Sequence, residues 1–330
     1  MRIGVLCSGG DAPGMNPCLR SIVRTACTCN DEIYGILHGY EGLLNEEFYH
    51  GENGSPVIMG IRSVSGLSKL GGTILHSSRS QRFQTPEGLQ AAAAILRKHK
   101  FDALLTIGGN GTLTGAIDLG KIWDGQIIGL PGTIDNDLFG TDYTIGFSTA
   151  VHTAVEAVDK LRDTAGSHDL MFFVEVMGRH CGDIALSTAI ASGAEIACIP
   201  EAIEAPERIV AKLRKIKESG KASVMAIVAE GDESGGAFAM QKILKDAGNP
   251  FDSRAVVLGH VLRGGSPSPE DRVLASELGN FAVSSLLLGE TGKMAGKIHG
   301  ELVLTPLEQC VAGHKTVDVE QLRLLHIVAS

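Results

Sequence analysis

Short apolar segments that alternate with amphipathic ones constrain the fold of this chain more than any other feature. Eight of them predict buried strands, at residues 2–6, 32–36, 103–107, 126–130, 171–176, 195–199, 223–228 and 255–258. Three longer amphipathic segments predict helices, at residues 148–162, 205–219 and 269–288. Alternation on this length scale is typical of βαβ units, whose strands are mostly parallel. The sequence therefore predicts an α/β fold.

The composition is that of a globular protein with a sizeable core. Hydrophobic residues make up 44% of the 330 residues and charged residues 20%. The formal net charge is −9 and basic residues do not cluster in runs, so a nucleic-acid partner is not expected.

Targeting signals and metal-binding cysteine patterns are not evident. No apolar stretch approaches the roughly 18 residues that suggest a membrane span, and the N-terminal residues do not resemble a secretion signal. The seven cysteines are scattered, and Cys27 and Cys29 form a C-x-C without a second pair. We therefore expect free thiols, no zinc site, no membrane association and a cytoplasmic location.

Two Gly-rich loops follow predicted strands, where parallel sheets place their ligands. Residues 8–16 read SGGDAPGMN, and residues 108–112 read GGNGT. Adjacent glycines let a phosphate approach the backbone, and a following helix offers it unpaired amides. Thr112 is also a candidate N-cap for the helix that follows. Taken alone, either loop is equally compatible with a tight turn before a helix.

A third loop, residues 131–137, reads PGTIDND and places Asp135 and Asp137 at a strand end. Phosphoryl transfer to an alcohol needs a base and a ligand for Mg²⁺, and carboxylates supply both. Arg179 follows a later strand, and Arg263 lies near His260 among glycines. A guanidinium binds phosphate through paired hydrogen bonds. Each feature alone is also typical of a turn or a surface ion pair.

Together, five motifs resemble those of bacterial 6-phosphofructokinases in order and spacing. They are SGGDAPGMN, GGNGT, PGTIDND, VEVMGRHCGD and GHVLRGGSP, and the resemblance extends from Arg2 to near Cys310. It implies two lobes, each a mostly parallel sheet flanked by helices, with the chain crossing between them. Residues 1–146 and 262–308 would form a nucleotide-binding lobe, and residues 147–261 and 309–330 a sugar-phosphate-binding lobe.

The resemblance implies a glycolytic kinase that uses ATP and D-fructose 6-phosphate and forms fructose 1,6-bisphosphate. Asp135 would be the base, and the other implied catalytic residues are Thr133, Asp137 and Arg179. The implied sugar-phosphate site comprises Thr133, Ile134, Asp135, Met177, Gly178, Arg179, Glu230, Arg254, His260 and Arg263. The implied nucleotide site comprises Gly10, Tyr40, Arg79, Gly109, Asn110, Gly111 and Thr112.

The same resemblance implies Mg²⁺ as cofactor, with Asn110 at the metal, and assembly as a homotetramer. Arg254 would be lent by a neighbouring subunit. An effector site for a nucleotide or phosphometabolite is implied at Arg20, Arg24, Arg162 and Lys221.

Two positions depart from the family pattern. Asn110 stands where the family nearly always has an Asp that serves Mg²⁺. Leu170 stands where the family has an arginine that reaches into the sugar-phosphate site of the neighbouring subunit. Two alternatives therefore stay open: a catalytically weakened regulatory or effector-binding paralogue, and a kinase for another phosphosugar. Pyrophosphate as donor is a third. Gly111 and Gly132 replace the Asp and Lys usual in pyrophosphate-dependent relatives, which favours ATP.

Overall fold

The computed structural model describes residues 1–51, 55–231, 235–313, 315 and 317–329. The chain divides into two compact units. Unit 1 comprises Met1–Ile134, Leu138–Ser148 and Arg263–His314. Unit 2 comprises Asp135–Asp137, Thr149–Leu262 and Lys315–Ser330. The third loop thus contributes residues to both units, because the boundary falls between Ile134 and Asp135.

Ten strands and eleven α-helices form the regular structure of the described residues. The strands are β1 (Arg2–Cys7), β2 (Glu32–Ile36), β3 (Ala103–Gly108), β4 (Gln126–Pro131), β5 (Met171–Val176), β6 (Ile196–Cys198), β7 (Val224–Ala229), β8 (Ser253–Val257), β9 (Lys293–Ile298) and β10 (Glu301–Pro306). The helices are α1 (Met15–Thr28), α2 (Gly39–Leu44), α3 (Pro86–Lys98), α4 (Asn110–Gly120), α5 (Phe147–His168), α6 (Asp183–Ser192), α7 (Pro206–Glu218), α8 (Gly236–Asp246), α9 (Pro269–Leu287), α10 (Leu307–Ala312) and α11 (Val319–Val328).

Unit 1 contains a six-stranded sheet with the order β10-β9-β4-β3-β1-β2. Neighbouring strands are parallel except for the antiparallel pair β9 and β10. Every residue of β3 is buried, as expected for a central strand covered on both faces. Leu104 of this strand belongs to a core cluster that also contains Leu6, Leu113 and Met294. The carboxyl ends of β1, β3 and β4 carry the three loops.

Unit 2 contains a four-stranded parallel sheet with the order β6-β7-β5-β8. Phe173 of β5 is completely buried in its core. Helix α7 packs on this core through Ile209, Val210 and Leu213, while its remaining described residues are less buried. Pro206 at its first position has a backbone conformation already suited to a helix start.

The predicted α/β fold with mostly parallel sheets is confirmed. All eight predicted strands are present, with ends that differ by two residues or fewer. Strands β9 and β10 were not predicted, because they form a half-exposed antiparallel pair in which charged residues interrupt the apolar run. Among the described residues, no helix combines the length and apolarity needed to span a membrane.

Candidate active site

The first Gly-rich loop connects β1 to α1 in unit 1. Gly9 has a left-handed backbone with φ of 85°, and its amide donates to the carbonyl of Ser78 at 3.1 Å. Helix α1 begins after Gly14, whose φ is 115°, and no side chain caps this end. A helix start without a side-chain cap presents backbone amides that attract an anion.

Arg263 packs directly on this loop. Its Nη1 donates to the carbonyl of Asp11 at 2.9 Å. A Cβ on Gly10 would lie 2.6 Å from the same nitrogen, so a larger residue there would displace the guanidinium. Gly10 was predicted to bind nucleotide and Arg263 to bind sugar phosphate, and the structure brings these two residues into contact.

The segment that carries Arg79 is fastened to α1 by Asn16, which is 1% exposed. Asn16 Nδ2 donates to the carbonyl of Gly71 at 3.0 Å, and its Oδ1 accepts from the amide of Ile74 at 2.9 Å. Arg79 itself is exposed and follows Ser78, the acceptor for the first loop. Sequence analysis did not identify this function of Asn16, because a long-range hydrogen bond leaves no local pattern.

The second loop corrects one prediction. Helix α4 begins at Asn110 with Gly109 as its N-cap, so the expectation that Thr112 caps it is wrong. Thr112 already lies inside the first turn, and its hydroxyl donates to the carbonyl of Ser8 at 2.9 Å. Its buried Oγ1 therefore connects the second loop to the first instead of capping its own helix.

Tyr40 packs against α4 and is 4% exposed. Its hydroxyl donates to the carbonyl of Thr112 at 2.8 Å, and its ring stacks on Phe83 with centroids 3.9 Å apart. Burial raises the pKa of Tyr40 well above its usual range. A Cβ on Gly115 would meet both rings at 2.8 and 2.9 Å. Tyr40 therefore stabilises the first turn of α4 through its hydrogen bond to Thr112.

The third loop leaves β4 and enters unit 2. In unit 1, the carbonyl of Thr133 accepts from Thr144 Oγ1 at 2.6 Å, and Ile134 is fully buried. In unit 2, Asp135 is 2% exposed, and its Oδ2 lies 3.4 Å from Arg179 Nε. Asp135 and Arg179 therefore form an ion pair within unit 2.

The turn that follows β5 carries Arg179 and is held by Glu230. The amides of Gly178 and Arg179 donate to Glu230 Oε1 at 3.3 and 2.9 Å. Arg179 has a left-handed φ of 54°, and half-buried Met177 precedes this turn. A Cβ on Gly231 would lie 1.7 Å from the carbonyl oxygen of Arg179, so the turn requires glycine there.

Arg254 and His260 lie further along unit 2. Arg254 is exposed on β8, an edge strand, and its Nη1 donates to the carbonyl of Ser253 at 2.9 Å. His260 is exposed on the short 3-10 helix Gly259–Arg263. Both side chains are placed where another molecule could reach them.

The predicted effector residues divide between the units. Arg20 and Arg24 lie on α1 in unit 1. In unit 2, Lys221 Nζ and Arg162 Nη1 lie 2.6 and 3.6 Å from the same oxygen of Glu195. The side chain of Glu195 is fully buried, and its other oxygen accepts from the amide of Met225 at 2.6 Å. Sequence analysis missed Glu195, which was interpreted only as the start of a strand.

Comparison with known proteins decides the family. The phosphofructokinase family model matches residues 2–286. The chain belongs to the phosphofructokinase family. This confirms the resemblance identified from the five motifs and, with it, the predicted enzyme class, a phosphotransferase.

Two similar relatives of this phosphofructokinase are bacterial. ATP-dependent 6-phosphofructokinase 1 of Thermus thermophilus is 45% identical over 328 residues, which is 99% of each chain. ATP-dependent 6-phosphofructokinase of Cytophaga hutchinsonii is 45% identical, over 98% of this chain and 96% of that protein.

Solved structures also resemble this phosphofructokinase. Phosphofructokinase from Saccharomyces cerevisiae matches 99% of the chain with a TM-score of 0.86 at 33% identity, and the present chain spans 48% of its length. Pyrophosphate-dependent phosphofructokinase from Marinobacter aquaeolei matches 97% of the chain and 86% of its own, with a TM-score of 0.83 at 20% identity, and shares the fold.

Proposed function

We propose that this phosphofructokinase transfers the γ-phosphoryl group of ATP to the 1-hydroxyl of D-fructose 6-phosphate, forming fructose 1,6-bisphosphate in glycolysis. The observation that carries the proposal is the pairing of buried Asp135 with Arg179 at 3.4 Å, in a chain 45% identical to ATP-dependent 6-phosphofructokinases. A carboxylate can act as general base toward a hydroxyl, and the guanidinium fixes the position of this one.

In the proposed reaction, the 1-hydroxyl oxygen forms a bond to the γ-phosphorus while the bond to the bridging oxygen breaks. The hydroxyl proton goes to Asp135, and ADP leaves with the bridging oxygen. Arg79 and Arg179 would stabilise negative charge on the transferred group, as cations do in phosphoryl transfer. Thr133 and Asp137 flank Asp135 in the third loop and would orient the acceptor.

The residues proposed here for the nucleotide lie in unit 1, and those proposed for the sugar phosphate lie in unit 2 apart from Arg263, which lies in unit 1. Gly10, Arg79 and the start of α4 in unit 1 would bind the nucleotide phosphates through amides and charge. Met177, Gly178 and Glu230 in unit 2 would line the sugar. The 6-phosphate would be bound by His260 and Arg263, and by Arg254 of a neighbouring subunit in a homotetramer.

ATP is favoured over pyrophosphate by two glycines. No atom of the described residues lies within 4 Å of a Cβ built on Gly111, so the space beside the start of α4 would admit a nucleotide. A Cβ on Gly132 would lie 2.8 Å from Ile107 and 3.0 Å from Met15, so a lysine there would require repacking. A coupled assay with ATP and pyrophosphate across several sugar phosphates tests donor and acceptor together. Turnover with pyrophosphate alone would overturn the donor assignment.

A divalent metal is part of the proposal, with Mg²⁺ as the expected ion. Asn110 offers one amide oxygen, which hard cations accept although they prefer carboxylate. Within the described ranges, no three His, Cys, Asp or Glu side chains group as a metal site. The ion would therefore bind together with the nucleotide phosphates. When bound, it would neutralise charge on the transferred phosphoryl group.

An effector site and a cytoplasmic location complete the proposal. Lys221 and Arg162 converge on Glu195, and cations on that face would bind the phosphate of a nucleotide or phosphometabolite. None of the seven cysteines, all of them in the described part of the chain, forms a disulfide, and disulfides are rare in reducing compartments.

Asn110→Asp is expected to raise turnover by about tenfold, because a carboxylate at the start of α4 balances the metal's charge better than an amide. The change in turnover should be measured at saturating Mg²⁺ and ATP, so that a binding effect does not contribute. Asn280→Asp, which adds the same charge at an exposed position of α9, is the matched control and should leave turnover unchanged.

Comparison of the parent protein with Asn110→Asp distinguishes an enzyme from a catalytically weakened paralogue. Measurable turnover in the parent protein supports the enzyme. Turnover that appears only in Asn110→Asp supports the paralogue, and no turnover in either protein with any sugar phosphate contradicts the kinase assignment.

Leu170→Arg is expected to tighten the apparent affinity for fructose 6-phosphate by about 5–150-fold, equivalent to roughly 1–3 kcal/mol for a new charged hydrogen bond. Leu170 is half-buried just before β5, so a longer polar side chain can be accommodated. Leu170→Gln, which is polar but uncharged, is the control. Equal KM values for both variants and the parent would place the phosphate elsewhere.

A further inference from the structure

Asp183, the last residue of the VEVMGRHCGD motif, contacts the third loop and was assigned no substrate or catalytic role. It is the first residue of α6, and its Oδ2 accepts from Asn136 Nδ2 at 2.8 Å. Asn136 lies between Asp135 and Asp137, the two carboxylates of the loop. A side chain on a helix is therefore tied to the residue between them.

The backbone of Asn136 explains why such a tie matters. Its φ is 54°, in the left-handed region, and the residue is 2% exposed. Asn enters this region more easily than most residues, but the conformation still costs free energy without support. A buried amide group also needs an acceptor, because leaving it unsatisfied is destabilising. A carboxyl oxygen of Asp183 supplies an acceptor at 2.8 Å.

Asp183 is itself held firmly. Its side chain is 13% exposed and lies 3.9 Å from Lys315 Nζ. The preceding amide, that of Gly182, donates to Glu201 Oε1 at 2.8 Å and anchors the start of α6. Burial raises the pKa of Asp183, whereas Lys315 and Asn136 act in the opposite direction and favour its carboxylate form. The anchor for the loop is therefore a carboxyl group on a regular helix.

We infer that Asp183 is a positioning residue for the third loop: by holding Asn136, it fixes Asp135 beside Arg179. Its effect on catalysis rests on the proposed function, because Asp135 acts as base only in that reaction. The hydrogen bond itself does not depend on the substrate, so positioning can be measured separately.

The kinetic test compares two substitutions of Asp183. Asp183→Ala removes the acceptor and should lower kcat by about 10–100-fold, since small displacements of a catalytic group have effects of this size. Asp183→Asn keeps an acceptor oxygen and should stay within about fivefold of the parent, because only the charge is lost. The KM for ATP should change little in either. Glu207→Ala, an acidic first-turn residue of α7, controls for the loss of charge at a helix start.

A double-mutant cycle with Asn136→Gly isolates the hydrogen bond. Glycine adopts the left-handed backbone freely but lacks the side chain, so the variant removes the tie without adding strain. If Asp183 acts through Asn136, adding Asp183→Ala to Asn136→Gly should lower kcat no further. Additive losses, or an Asp183→Asn variant as impaired as Asp183→Ala, would overturn the inference.

Hydrogen exchange of residues 132–137 decides the positioning role independently of activity. Asp183→Ala should speed exchange in this segment, whereas Asp183→Asn should not. Asn136→Gly should also speed it, and this variant provides the test if Asp183→Ala folds poorly. Unchanged exchange in both Asp183→Ala and Asn136→Gly would overturn the inference. If the variants show this exchange pattern but the parent phosphorylates no sugar, only the proposed function is disproved.

Discussion

Asp135→Asn is expected to lower turnover by about 10²–10⁴-fold, with much smaller changes in KM, because the proton acceptor is lost while size and hydrogen bonding are kept. Asp135 is 2% exposed and lies 3.4 Å from Arg179 Nε, a contact that the oxygen of an asparagine can retain. The measurement is kcat and both KM values in a coupled assay.

Two outcomes decide the role of Asp135. Asp246→Asn, which removes an exposed carboxylate of α8, is the matched control and should behave like the parent. A large fall confined to the turnover of Asp135→Asn supports a base at this position. Near-normal turnover in that variant would exclude Asp135 as the base, whatever its effect on binding.

Gly231→Ala is expected to have the second largest effect. Its Cβ would lie 1.7 Å from the carbonyl oxygen of Arg179, and the amide of that residue is bonded to Glu230. Backbone must therefore move, and the guanidinium moves away from Asp135. We expect kcat/KM for the sugar phosphate to fall by about 10²-fold, as for other displaced catalytic groups. The unfolding free energy should fall by roughly 1–3 kcal/mol, as when a packed site is overfilled.

Gly166→Ala is the control for this substitution. Gly166 lies in α5, and within the part of the chain that the structure describes no atom is within 4 Å of a Cβ built there. Alanine should raise the free energy of unfolding by up to about 1 kcal/mol through helix propensity alone. Its kinetics should match those of the parent. If Gly231→Ala also retains the parent's kcat/KM, the turn of Arg179 does not contribute to sugar binding or catalysis.

The fold was largely predictable because burial in a parallel sheet has a local signature. Strands such as β3 and β7 are covered on both faces, so each appears in the sequence as an unbroken apolar run. The pair β9 and β10 lacks that signature. The first two residues of β10 are exposed and its other four are only half-buried, and Lys293, Lys297 and Glu301 mark the pair as polar.

The loops that carry the candidate site were also predictable, because their glycines and carboxylates stand next to one another in the chain. Adjacent glycines at positions 9 and 10 and the pair Asp135 and Asp137 are visible without any coordinates. The position of Thr112 was not, since its hydroxyl bonds to Ser8 rather than to its own helix.

The sequence by itself determined the α/β class, the strand-end loops and the family, because periodicity, glycine pairs and motifs are properties of neighbouring residues. Only the tertiary structure showed that Arg263 lies close to Gly10, that Lys221 forms an ion pair with Glu195, and that Asp183 accepts a hydrogen bond from the third loop. These partners are separated by 26 to 253 residues of chain. Their contacts depend on how strands and helices pack, and packing distances between remote residues leave no periodic pattern to detect.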